Sequence, residues 1–365
     1  MKLKQIPAIL LYAALVTAPI TSNACTSFTL PGADGGYVYG RSMEFGVPLK
    51  SALVVIPRGY NIQGVGTHSV PGTGLNWQSK YAVVGLNALG QPIVVDGINE
   101  KGMTGGLLNA PNTAVYQNTL AKDSAHSIAS YQMLLYALSN FATVDEAKAG
   151  LRQIQVNSSP LAAYKGVVQV RMTLHDTKGR SIVVEYLKGQ LVITDNPTGV
   201  MTNDPAFTWH LDNIGNYANL TPVERDAVKI NNTSYAPPSS GSGLHGLPGD
   251  SLSPSRFIRA IAYTAAAPKQ LTTTQQINTA WHILNNFDIP PGSIRLPSSN
   301  PYGGGAGGYE TTEWSTVADA KNLTYQVKTY DNQTIQQFDL KKADLSGKEI
   351  RTIPLKTAPL VDSLN

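Results

Sequence analysis

One cysteine in 365 residues, Cys25, rules out an internal disulfide, so whatever this chain folds into is held together by packing. Its position is as informative as its number. Lys2 and Lys4 give a positive start, Ile6 to Ile20 carries no charge, and Ser22 and Ala24 place small residues where a signal peptidase reads. Residues 1–24 are therefore expected to be a cleaved export signal that sends the protein to a periplasm or beyond. Its removal leaves the Cys25 thiol and a free α-amine on one residue, a nucleophile beside its own proton acceptor. A structural cysteine gains nothing from that place. The competing reading is a lipid-anchored Cys25, for which Ser22 and Asn23 match the preferred leucine-rich box poorly.

Composition narrows the partners. Without the two signal lysines the charge is near neutral to slightly positive, with no basic block, so nucleic acid is not indicated. No later stretch approaches the ~20 apolar residues of a membrane span. Residues 25–365 suit one large domain with ample apolar content for a core.

Strand and turn signals dominate. Thr26–Leu30 and Tyr37–Phe45 read as strands joined by the turn Gly32-Ala33-Asp34-Gly35-Gly36. Ala52–Pro57, Tyr81–Leu86 and Pro92–Asp96 continue the pattern, with a hairpin around Asn99-Glu100-Lys101-Gly102. Helical spacing follows at Ala125–Phe141 and Thr143–Ile154, the second behind a capping threonine. Val167–His175, Ser181–Leu187 and Gln190–Thr194 return to strand, Arg256–Ala266 and Thr273–Phe287 to helix. Glu313–Val317, Leu323–Thr329 and Ile335–Asp339 close the chain as strands. Such an order suggests two sheets between helix layers. The Pro/Gly/Ser-rich stretches Pro237–Pro248 and Pro297–Gly308 read as loops over a site.

The first hairpin places chemistry. With its turn on Ala33 and Asp34, antiparallel pairing sets Cys25 opposite Arg41 to Glu44. Arg41 is then expected beside the thiol, favouring the thiolate, and Glu44 beside the α-amine. Other chemistries are weak. The six histidines (His68, His126, His175, His210, His245, His282) have no paired spacing, and no zinc motif or phosphate-binding loop occurs, so neither metal nor cofactor is expected. The GxGxxG match at Gly303–Gly308 lacks a flanking strand and helix. Asn157, Asn231, Asn232, Asn322 and Asn332 match glycosylation acceptors.

Cys25-Thr26-Ser27, Tyr39-Gly40-Arg41-Ser42-Met43-Glu44-Phe45 and Ile56-Pro57-Arg58-Gly59 resemble the opening of the choloylglycine hydrolases and penicillin V acylases. The similarity continues in order through Asp96–Gly102, Asn196-Pro197, Val200–Pro205, Leu247–Asp250, Ser255-Arg256-Phe257 and Trp314–Leu340. The resemblance implies an α+β fold, the four-layer αββα sandwich of N-terminal-nucleophile hydrolases, often a homotetramer. It also implies hydrolysis of a linear non-peptide amide through a thioester. By it, Cys25 is nucleophile and, through its amine, base; Arg41 lies beside it; Glu44 replaces a usual aspartate. Asn203 contributes to the oxyanion hole, Asn109 falls where bile-salt-type members carry a second donor, and Arg256 completes the polar cluster. Phe45 lines the acyl pocket. Conjugated bile salts are the expected substrate class, with penicillin V and N-acyl homoserine lactones as alternatives. An exported or lipid-anchored binding protein keeping only the fold is the reading from another class.

Overall fold

The computed structural model describes residues 24–297 and 308–358. Among the described residues, thirteen strands and the short Ile294–Arg295 strand build two antiparallel sheets. The first contains β1 (Cys25–Pro31) and β2 (Tyr37–Phe45); the second contains β3 (Ala52–Ile56), β4 (Val83–Leu86), β5 (Asp96–Asn99), β6 (Thr104–Asn109), β7 (Val170–His175), β8 (Ser181–Leu187) and β9 (Gln190–Asp195). The chain then returns to the first sheet with β10 (Tyr309–Asp319), β11 (Thr324–Thr329) and β12 (Gln336–Asp339), and β13 (Arg351–Pro354) ends on the second. The first sheet runs β1-β2-β10-β11-β12, with Ile294–Arg295 also paired to β10; the second runs β9-β8-β7-β6-β5-β4-β3-β13.

Helices cover the outer faces. Helices α1 (Met133–Asn140) and α2 (Val144–Leu151) belong to the outer layer of the second sheet, where α1 packs on β4, β5 and β6. Helix α3 (Phe207–Asn213) follows, and α4 (Ser253–Ala266) and α5 (Thr273–Leu284) pack on β1, β2 and β10. The expected αββα sandwich is the observed one. Period-two alternation decides which side chain enters which layer. In β3, Leu53 and Val55 join the core between the sheets, while Val54 and Ile56 join the core under α1. Both faces of β3 and β4 are buried, so those two strands read as continuous apolar runs.

Local chemistry sets the ends. Thr143 Oγ1 accepts the Glu146 N–H at 3.2 Å and starts α2, and a Thr272–Gln275 capping box starts α5. The first hairpin turns where expected, with Gly35 at φ +80°, and Asp34 accepts the Thr273 N–H at 2.9 Å, tying the turn to the start of α5.

Two expectations fail for identifiable reasons. Pro92 cannot donate to a ladder, and the strand expected at Pro92–Asp96 instead begins at Asp96. The helix expected over Ala125–Phe141 begins only at Met133, because Ser127–Ala129 pairs in parallel with Gln155–Asn157. Pro237–Pro248 contributes nothing to the wall of the cavity at Cys25 described below, and 298–307, most of the other proposed covering loop, lies outside the described residues, as does 1–23 of the expected signal.

Candidate active site

The β1–β2 register puts Cys25 opposite Met43, Thr26 opposite Ser42 and Ser27 opposite Arg41. Cys25, Arg41, Met43 and Phe45 therefore share the face turned toward the second sheet. Arg41 Nη2 lies 3.8 Å from Cys25 Sγ, as the hairpin geometry predicts, and Met43 Sδ lies closer, at 3.5 Å. A β-bulge in β10 between Thr312 and Trp314 sets Thr312 opposite Glu44 and Trp314 opposite Met43. The Trp314 ring then lies 5.4 Å from the Arg41 guanidinium.

Arg41 crosses the gap between the sheets. Its Nη1 donates to Val95 O and, at 3.4 Å, to Asp96 Oδ2; its Nη2 donates to Leu107 O. Asp96 is fully buried and also accepts from Tyr39 Oη at 3.0 Å, Thr316 Oγ1 at 2.9 Å and Tyr325 Oη at 2.5 Å. Four donors on one carboxylate hold a guanidinium where water cannot reach it. Gly106 is what lets Arg41 pass: a Cβ there would sit 2.7 Å from Nη1 and 2.6 Å from Tyr39 Oη. The Asp96 anchor has no local sequence signal, because its partners come from three other strands.

On the other side of Cys25, Asn203 and Arg256 meet the backbone. Asn203 Oδ1 accepts the Cys25 N–H at 2.6 Å and an Arg256 Nη2 bond at 2.8 Å, while Asn203 Nδ2 donates to Asn109 O at 2.8 Å. Arg256 Nη1 donates to Cys25 O and, at 2.9 Å, to Thr26 Oγ1. Arg259 behaves as a structural neighbour, donating to Pro248 O and Asp250 O. Buried His210 donates from Nε2 to Asn203 O at 2.8 Å and stacks on Phe257.

While Cys25 is still peptide-linked to Ala24, Glu44 bonds elsewhere. Its backbone N–H donates to Ala24 O at 3.0 Å, and its Oε1 accepts from Thr312 Oγ1 at 3.3 Å. The group that holds the Cys25 nitrogen is Asn203, and a carboxylate not singled out in the sequence, Glu310, accepts the Ala24 N–H. Glu44 Oε2 is buried without a hydrogen-bond partner. The extra methylene of glutamate over aspartate is the simplest cause of the displaced carboxylate.

Burial sets the electrostatics. It pushes the Cys25 thiol up; Arg41 opposes this, Glu44 adds to it, and Arg256 opposes it weakly. The expected lowering by Arg41 is present but is outweighed by desolvation. Burial also pushes the Glu44 carboxyl up to about 8, against the attraction of Arg256. His210, desolvated, falls to about 4.

Cys25 opens on a cavity lined by Met43, Phe45, Leu49, Ala88, Leu89, Ile93, Val95, Leu107, Asn109, Tyr131, Leu161, Tyr164, Val168 and Val170. Among the described residues no charged side chain is in that wall. Phe45 is there, as expected, 6.4 Å from the Tyr164 ring. Asn109 Nδ2 is a buried donor without a partner in the same cavity as the thiol. The structure thus brings Cys25, Arg41, Asn109, Asn203 and Arg256 together, with Phe45 in the cavity and Glu44 behind the ribbon. Among the described residues no group of His, Cys, Asp or Glu could hold a metal ion.

Residues 25–353 match the family model of linear amide C–N hydrolases, choloylglycine hydrolase family. The chain is 29% identical to the bile salt hydrolase/transferase of Clostridium perfringens over 343 residues, 93% of this chain and all of that one. It is 28% identical to the penicillin V acylase of Pectobacterium atrosepticum, covering 95% of this chain and 89% of the other. Its fold superposes on the conjugated bile acid hydrolase of Clostridium perfringens with a TM-score of 0.81 at 28% identity, covering 93% of this chain and all of that one. For the penicillin V acylase of Agrobacterium tumefaciens the TM-score is 0.73 at 25% identity, covering 91% and 92%. With that match over nearly every described residue, the chain belongs to the choloylglycine hydrolase family and is a hydrolase of carbon–nitrogen bonds in linear amides.

Proposed function

We propose that Cys25, freed at its amine by signal removal, is the nucleophile of a bile-salt-hydrolase-like amidase. The observation that carries this reading is an unpartnered buried amide donor, Asn109 Nδ2, in the same uncharged cavity as the one thiol of the chain. An apolar wall suits the acyl part of the substrate, and an amide donor with nothing to bind suits an oxygen that gains charge only during reaction.

In this mechanism the α-amine takes the thiol proton and the sulfur adds to the amide carbonyl. Asn109, with Asn203, binds the resulting oxyanion. The α-ammonium returns the proton to the leaving nitrogen as the C–N bond breaks, giving a free amine and a thioester on Cys25. Water, deprotonated by the same amine, then releases the acid and restores the thiol. Arg41 offsets part of the cost of forming a thiolate in a buried site. Arg256 and Asn203 hold the Cys25 backbone in line for attack.

Conjugated bile salts fit best, because the bile salt hydrolases among its relatives share the family and the described residues of the cavity offer no charged group to engage a polar acyl chain. Penicillin V and N-acyl homoserine lactones carry the same apolar acyl amide, and the penicillin V acylase relatives keep them in view. Export and assembly as a homotetramer belong to the same proposal; light scattering on the mature protein reads the second.

Mass spectrometry of the exported protein should show a chain beginning at Cys25, and a lipidated Cys25 would favour an anchored binding protein. Cys25→Ala should lose all turnover with an unchanged melting temperature. Glycocholate, taurocholate, penicillin V and acyl homoserine lactones assayed side by side should rank the bile salts first. Activity retained in Cys25→Ala would sink the reading.

A further inference from the structure

The end of the β1–β2 ribbon brings two buried acids to the Ala24–Cys25 peptide. Glu44 and Glu310 are both fully buried there, on neighbouring strands. Arg256 is the guanidinium that faces both carboxylates. Its hydrogen bonds, however, go to Cys25 O, Thr26 Oγ1, Asn203 Oδ1 and Ser251 O. Glu44 Oε2 has no hydrogen bond of proper geometry, although the Ser42 hydroxyl is beside that carboxyl. Asp288 also faces Glu44, but Lys328 answers it at 3.9 Å, and Asp250 faces Arg256 from outside the ribbon. Arg41 points away, to Asp96.

A buried carboxyl oxygen without a donor is costly, so Glu44 Oε2 calls for one. Hydrolysis of the Ala24–Cys25 bond supplies it. Water adds across the peptide under an endopeptidase, Ala24 leaves with a new carboxylate, and Cys25 keeps an amine that protonates to an ammonium. Ala24 N, the present donor to Glu310, and Cys25 N are separated by only two bonded atoms, no more than about 3.7 Å. One ammonium proton keeps the bond to Asn203 Oδ1, and two more become available where Ala24 was.

We propose that Glu310 and Glu44 together seat the Cys25 α-ammonium in the mature chain, which makes Glu310 a positioning residue for the proton-carrying group. This rests on the proposed function above. Glu310 reaches the site from β10, and its contact with Ala24 is the place-holder for that seat. The glutamate at position 44, too displaced to hold the nitrogen alone, is completed by the second acid.

The sign of the effect is fixed. A carboxylate beside the ammonium favours its protonated form, so its removal lowers the pH at which the amine titrates; the nearby thiol moves the same way. Because the chain has one cysteine, ¹⁵N-cysteine labelling of mature protein gives a single α-amine signal. In Glu310→Gln that signal should titrate about one pH unit lower than in wild type. The pH limbs of kcat/KM should move in the same direction, with an unchanged circular dichroism spectrum. Glu310→Asp, which withdraws the charge by one methylene, should shift it less and in the same direction. It decides alone should the glutamine variant not fold. An amine that titrates as in wild type in the folded variants overturns this inference while leaving the N-terminal mechanism standing. A mature chain that does not begin at Cys25 overturns both.

Discussion

The two faces of the β1–β2 ribbon differ sharply. Toward the second sheet it presents Cys25, Met43 and Phe45 to an uncharged cavity, and its one cation, Arg41, is answered across the gap by Asp96. Toward α4 it presents Thr26, Ser42 and Glu44, where Arg256 and carboxylates crowd the backbone. The pleat makes this division, because successive side chains point to opposite faces. Cys25 joins the two: its thiol lies on the cavity face and its nitrogen at the ribbon's end, beside Asn203 and Ala24's contact with Glu310. Acyl binding and proton handling can thus sit within one residue of each other without mixing.

That contrast is breakable. The largest effect expected on stability comes from Asp96→Asn, which leaves Arg41 buried without its counter-charge and should cost about 3–5 kcal/mol. Urea unfolding should show a lower midpoint at unchanged slope; a loss under about 1 kcal/mol would mean Arg41 relaxes elsewhere. Next is Asn109→Ala. It should cost roughly 3–4 kcal/mol of barrier, a 10²- to 10³-fold fall in kcat, as for loss of an oxyanion donor. Stability should stay level or rise, because the donor removed is buried and unpartnered. Parallel losses of activity and stability would instead make Asn109 a packing residue.

The polar face gives the smallest expected effect. His210 titrates near 4 in the fold, below its unfolded value of about 6.5. A depressed histidine contributes stability that is fully present above pH ~6.5 and is lost as pH falls through 4, at most about 3 kcal/mol. His210→Gln keeps a donor for Asn203 O without the titration, so its stability should fall less steeply between those pH values. A slope equal to that of wild type would assign the acid sensitivity elsewhere, with buried His175, also lowered to about 3, as the next group to replace.

Legibility followed the range of the interactions. The first hairpin was readable because its turn and alternation lie within about twenty residues: it set Cys25 opposite the Arg41 to Glu44 segment and near Arg41, and within that segment the partner is Met43. The delayed start of α1 was not, because a strand partner nearly thirty residues away overrode local helical spacing. The thiol expectation went astray for a related reason: Arg41 was visible in the sequence, but the depth of burial that outweighs it was not.

By itself, then, the sequence determined the chemistry on offer: one thiol, a ribbon carrying Arg41 and Glu44, and an ordered set of motifs naming the family. Tertiary structure decided how those groups are used. Asp96 anchors Arg41, Asn203 rather than Glu44 holds the Cys25 nitrogen, and Glu310 arrives at the ribbon's end from nearly 300 residues away. Charge balance in a buried site is a property of everything that surrounds it, and no stretch of sequence around Cys25 contains those surroundings.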